Sequence, residues 1–155
     1  MIHDLAKIPD NRRIDTERVV PFTVDEVFGA FADPDLLARW WGPKGFTNTF
    51  AVCEFREGGA WTFTMHGPDG RDYANESRFA RIRKPSQVVI DHVCPPLFQA
   101  HFDFSPTAGG CRIAWSMVFE DETTCAAVRK VAGDANEQNL DRLEAVLGGR
   151  PVNDP

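Results

Sequence analysis

From Thr47 to Phe119 the apolar residues recur at every second position, and from about Asp121 to Leu147 they recur at helical spacing instead. A period of two puts alternate side chains on opposite faces of a strand, whereas a period near 3.6 draws one stripe along a helix. The β segments are separated only by short turns, which antiparallel strands permit and parallel strands do not. Trp61, Phe63 and Met65 share one face of "AWTFTMH"; Phe98, Phe102 and Phe104 share one face of "LFQAHFDF"; Ile113, Trp115, Met117 and Phe119 share one face of "CRIAWSMVF". The opposite positions, among them Thr62, Thr64, Gln99, His101, Asp103, Arg112 and Ser116, are polar or small. A sheet with one apolar face needs a cover. The C-terminal helix, running to the Gly148-Gly149 stop, is the only segment long enough to provide it.

Upstream the chain opens differently. Ile14 to Val20 alternates as a first strand and closes at Pro21. Thr23 and Glu26 have capping-box spacing, and Val24, Val27, Phe28 and Phe31 form one helical stripe. Asp33-Pro34 starts a second short helix bearing Leu36, Leu37, Trp40 and Trp41, which Gly42-Pro43 ends. Adjacent helical residues diverge by about 100°, so only one of Trp40 and Trp41 faces the core squarely. One is expected to anchor the helix on the sheet. The other is expected at a cavity mouth beside Phe46, with Gly42-Pro43 fixing the loop. The predicted architecture is α+β: six or seven antiparallel strands around one long C-terminal helix, with two short helices between the first and second strands. Residues 1–12 are expected to be a flexible leader, 13–149 a single domain and 150–155 a tail.

With 155 residues, one core of ordinary size is available. Twelve Phe against one Tyr imply a large dry volume, since phenylalanine has no polar handle. The covering helix carries the small residues Ala132, Gly133 and Ala135 at its middle, opposite the aromatic face. Two readings follow, a solidly packed core and a hollow between sheet and helix. If there is a hollow, Asn75, Ser77, His92, Asn136 and Asn139 are its candidate polar groups. Asp91 and His92 are neighbours on a strand and point to opposite faces, so they cannot act together on one ligand.

A net charge of −6 with only short basic pairs argues against a nucleic-acid partner. No stretch reaches the roughly 20 apolar residues of a membrane span, and the first residues lack a signal-peptide core. A cytoplasmic location is expected. Cysteines 53, 94, 111 and 125 have no metal-ligand spacing, so they read as small buried hydrophobes. No metal, no cofactor and no catalytic residue is assigned.

Three stretches, "PFTVDEVFGAFADPDLLARWWGP", "FREGGAWTFTMHGPDG" and "GDANEQNLDRLEAVL", resemble the activator of heat-shock-protein-90 ATPase homologue family. That family falls in the START/Bet v-like SRPBCC superfamily of helix-grip proteins. The resemblance runs from Ile14 to Leu147 and is most specific at Asp33 to Pro43 and Arg56 to Met65. It implies a curved sheet gripping the C-terminal helix with a cavity between them. The implied wall positions are Trp40 or Trp41, Trp61, Phe63, Met65, Tyr73, Phe79 and Trp115. Phe46 is added as the neighbour of the tryptophan pair at the mouth, and inner-face parity and the helix add Phe102, Met117, Ala135, Asn136 and Asn139. Ser77, where the family favours a small residue, and Asp134, where it often has an aromatic, depart from the pattern. The expected function is binding of a small hydrophobic molecule in that cavity. The alternatives are a cyclase- or hydrolase-like enzyme using His92 or Asn75, and an interaction module stimulating a chaperone ATPase. A chaperone partner has no motif of its own in this chain, and a homodimer is left open.

Overall fold

Thr23 and Glu26 form the capping box their spacing predicts. In the computed structural model, which describes residues 1–152, the Thr23 hydroxyl accepts from Glu26 N at 3.1 Å and Glu26 accepts from Thr23 N at 3.0 Å. These bonds satisfy donors that the first turn of a helix otherwise leaves bare. Helix α1 (Val24–Ala32) ends at Asp33, whose carboxylate caps α2 (Pro34–Trp40) by accepting from Asp35 N at 3.0 Å. Gly42 then takes φ +98°, a conformation that favours glycine, and the chain turns away.

Strand β1 (Arg13–Val20) precedes these helices; β2 (Thr47–Cys53), β3 (Ala60–His66), β4 (Asp72–Arg83), β5 (Gln87–His92), β6 (Phe98–Thr107) and β7 (Gly110–Val118) follow them. All pair antiparallel in one seven-stranded sheet of order β1-β7-β6-β5-β4-β3-β2. Consecutive strands from β2 to β7 are neighbours, as short turns require. β1 and β2 lie at opposite edges, and the α1–α2 segment connects them. Helix α3 (Glu122–Leu147) is capped by Asp121 and lies over the inner face, touching β1, α1 and α2. This is the helix-grip fold. Among the described residues, no helix is long and apolar enough to cross a membrane.

The core lies between sheet and helices. Phe31 of α1 packs edge-on against Trp40 at 4.8 Å and tilts against Phe102 of β6, also at 4.8 Å. Ile113, Phe119, Leu140 and Leu143 are fully buried around them. Two bulges correct the simple alternation. The register shifts between Phe50 and Val52, so Cys53 rather than Val52 pairs with Trp61 on the inner face, and Val52 is left exposed. A second shift between Phe79 and Arg81 brings Ile82 opposite Val88.

Two expectations need correction. The first twelve residues are not a loose leader. They contain 3-10 turns at Leu5–Lys7 and Asp10–Arg12 and hydrogen-bond to the outer face of the sheet. His3 N donates to Gln99 Oε1 at 2.9 Å, and Gln99 Nε2 donates to the Met1 carbonyl at 2.9 Å. Gln99 and His101 therefore sit on the outer face yet are buried beneath this strap. The middle of α3 is not lined by small residues either. Ala132 faces inward, but Gly133 is exposed and Ala135 is only half-buried. The helix runs unbroken, and its angular period turns Asn136, Asn139 and Arg142 inward instead. Of the expected tail, residues 153–155 lie outside the described residues; Arg150 N donates back to the Ala145 carbonyl at 2.7 Å.

Candidate ligand-binding cavity

The inner face is rich in rings except at two places. Ser77 stands on β4 between Asn75 and Phe79, and Ala100 stands on β6 between Phe98 and Phe102. Ile90 of β5 lies directly opposite Ala100, and His92 directly opposite Ser77. Two short side chains thus flank β5, and α3 meets them with asparagines rather than with leucines. A cavity of about 260 Å³ remains. Its apolar wall comes from Trp41, Phe63, Met65, Ile90, Phe98, Ala100, Trp115 and Met117, with Gly42, Pro43 and Pro96 alongside. Asn75, Ser77, His92, Asn136 and Asn139 supply the polar atoms.

Nine of the sixteen residues singled out from the sequence line this space: Trp41, Phe63, Met65, Asn75, His92, Trp115, Met117, Asn136 and Asn139. The other seven lie elsewhere. Trp40 is fully buried, and its indole N–H donates to the Ala30 carbonyl at 2.8 Å, so it is the anchor of the pair. Trp61 stacks on Phe63 at 4.4 Å and on Phe79 at 5.6 Å; Phe102 tilts against Trp115 at 4.8 Å. Trp61, Phe79 and Phe102 are packed core and not cavity wall. Phe46 and Tyr73 lie 6.0 Å apart outside the cavity, and Tyr73 is 42% exposed. Ala135 is turned away from the cavity. Trp41 meets Trp61 at 5.0 Å and Trp115 at 6.3 Å rather than standing beside Phe46. Pro96 and Ala100 were not anticipated, and Gly42 and Pro43 were expected only to fix the loop. The small Ala100 in an aromatic run was the sequence signal that could have found the hollow.

Backbone near the cavity is held from α3. Asn139 Nδ2 donates to the Trp40 carbonyl at 2.9 Å, and Asn139 Oδ1 accepts from Gly42 N at 3.2 Å. The Arg142 guanidinium donates to five carbonyls, those of Trp41, Gly42, Pro43, Arg39 and Phe46, at 2.7–3.1 Å. Burial pulls its pKa down to about 10, which leaves it charged at neutral pH. Asn136 Nδ2 donates to Thr16 Oγ1 at 3.3 Å.

His92 sits at the rim. Its Nδ1 lies 2.7 Å from the Pro96 carbonyl and its Nε2 lies 2.9 Å from Asn75 Oδ1. Its ring stacks on Phe98 at 4.5 Å. Burial pushes its pKa below the ordinary 6.5, against the opposing pull of the Pro96 and Cys94 backbone. Asp91, on the other face, accepts from Gln99 Nε2 at 2.7 Å and takes no part in the cavity. All four cysteines are free thiols, and burial raises Cys53 to about 11. Among the described residues no three metal-ligating side chains converge.

A larger hollow of about 800 Å³ lies between the start of α1 and the β6–β7 turn, lined by Pro21, Phe22, Pro85, Phe104 and Pro106 among others. It is an open surface groove flanked by turns. The smaller cavity has its walls on the sheet and on α3 and is mostly apolar with a few polar groups, as ligand sites usually are.

Residues 21–148 match the family described as Activator of Hsp90 ATPase homolog 1-like protein. Among solved structures, a protein from Nitrosomonas europaea superposes with a TM-score of 0.83 at 18% identity, over 92% of this chain and 97% of the other. One from Arthrobacter aurescens gives 0.83 at 22% identity, over 92% and 90%. A protein described as AHSA1-like, from Aeromonas hydrophila, gives 0.72 at 20% identity, over 88% and 92%. At these identities the likeness establishes the fold alone. No match was found among curated proteins.

Proposed function

The chain belongs to the activator of Hsp90 ATPase homolog 1-like family, and we propose that it binds one small, largely apolar molecule in the cavity between the sheet and α3. The observation that carries this reading is the unfilled space itself. Protein interiors pack to crystal-like density, and Phe31 and Trp40 are in direct edge-to-face contact at 4.8 Å. Next to them about 260 Å³ stays open against tryptophan, phenylalanine and methionine side chains. Ligand pockets typically enclose about 300–1,000 Å³, so the occupant is smaller than a drug-sized molecule, one or two fused rings in bulk. Desolvation of such a ring against this wall drives binding, and the few polar atoms orient it.

Calorimetric titration with naphthalene tests the reading. Ala100, directly opposite Ile90 on the cavity wall, is the place to fill the space. Naphthalene is expected to bind the native chain, and Ala100→Leu to weaken that binding at least about tenfold, a loss of about 1.4 kcal/mol. Far-ultraviolet circular dichroism checks that the variant is folded. Absence of binding to the native chain, or undiminished binding to a folded variant, contradicts the proposal.

A further inference from the structure

His92 and Asn75 present the cavity with two hydrogen-bond acceptors and no hydrogen between them. The Pro96 carbonyl and Asn75 Oδ1 both only accept, so the neutral ring can answer one of them; the shorter contact, 2.7 Å to Pro96 against 2.9 Å to Asn75, favours the proton on Nδ1. In the neutral ring Nε2 is then an acceptor. Asn75 is oriented by its own donation, Nδ2 to the Tyr73 carbonyl at 3.0 Å, which turns Oδ1 toward His92. The two acceptor atoms are 2.9 Å apart. Burial disfavours the doubly protonated ring that would bridge them. The Cys94 thiol, 3.7 Å from Nε2, is a weak donor and supplies nothing to Asn75 Oδ1.

On the same wall stand groups with hydrogens to give. Ser77, directly opposite His92, is buried, and its hydroxyl has no hydrogen-bond partner among the described residues. The Trp115 indole N–H is likewise buried without a partner among them. A carboxylate or phosphate would set more lone pairs against Nε2 and Oδ1, and a bare hydrocarbon would leave both acceptors unanswered. A hydroxyl can donate to the acceptor pair while accepting from Ser77.

We infer that the occupant is a neutral, hydroxyl-bearing ring compound, a phenol or a cyclic alcohol, whose O–H is received jointly by His92 Nε2 and Asn75 Oδ1. The inference rests on the cavity reading above and adds the chemistry of the head group. His92 and Asn75 act here as binding residues, and the assignment requires no reaction.

The test is a calorimetric comparison of 2-naphthol, 2-methoxynaphthalene and naphthalene on the native chain, on His92→Phe and on Asn75→Leu. The native chain is expected to bind 2-naphthol at least about tenfold more tightly than the methyl ether. In each folded variant the preference falls to about twofold or less while naphthalene binds as before. If His92→Phe does not fold, Asn75→Leu decides alone. Equal affinity of the native chain for all three probes overturns the inference and leaves the cavity reading standing. A preference that survives in the folded variants overturns it too. Failure of all three to bind removes the cavity reading, and the inference with it.

Discussion

Arg142 brings a full positive charge to a position only 4% exposed, and what meets it is a ring of backbone carbonyls rather than a carboxylate. Those carbonyls belong to the end of α2 and the turn after it, the segment that places Trp41, Gly42 and Pro43 on the cavity wall. A planar guanidinium offers five N–H groups in a fixed fork, which suits several acceptors converging on one point. Arg142→Met removes every one of these donors and leaves buried carbonyls unanswered. The variant is expected to lose about 3 kcal/mol of stability, measured by urea unfolding. A loss below about 0.5 kcal/mol would mean that the loop holds itself. From the sequence, Arg142 is one more charged residue on a long helix, and nothing local marks it. The tryptophan pair is different. The 100° between neighbours forces them apart, so an anchor and a wall residue could be foreseen, though not that Trp41 would turn toward Trp115 rather than Phe46.

At the level of elements, local chemistry is legible where it acts over a few residues. The Thr23–Glu26 box and the Asp33-Pro34 start lie where their spacing puts them, because each is decided within one helical turn. Strand alternation is legible for the same reason. The bulges at Ala51 and Ala80 are not, since an extra residue shows only against the partner strand. The N-terminal strap escaped notice because its bonds to Gln99 span the length of the sheet domain and use backbone atoms common to any sequence. The inward face of α3 was misjudged for a related reason. Small residues suggested room, whereas the room comes from Ser77 and Ala100 on the sheet, and polar side chains of the helix border it. Inner-face parity named most of the wall, but parity alone cannot separate a ring that lines a space from one packed behind it.

For the molecule as a whole, two histidines, His92 half-buried and His101 buried, tie stability to pH. Burial lowers the pKa of His92, and of His101 beneath the strap, below the 6.5 expected of the unfolded chain. The unfolded state then binds more protons than the native state near that pH, so unfolding free energy rises with pH. The stabilisation is complete above about pH 6.5 and is lost as pH falls through the lowered values. The urea midpoint is therefore expected to drop between pH 7.5 and pH 5.5, and replacing both histidines by glutamine should flatten that drop. An unchanged slope in a folded double variant would assign the effect to other groups. The sheet, the turn after α2 and α3 leave a hollow between them, and the account stands or falls on its being accessible. The chain has three methionines: Met65 and Met117 on the cavity wall, and Met1 fully exposed at the N-terminus. Methyl NMR on chain labelled at methionine, titrated with naphthalene, reads the cavity and its control in one spectrum. The account predicts saturable shifts of the Met65 and Met117 methyls with Met1 unmoved; wall methyls that stay fixed up to the solubility limit of the probe would contradict it.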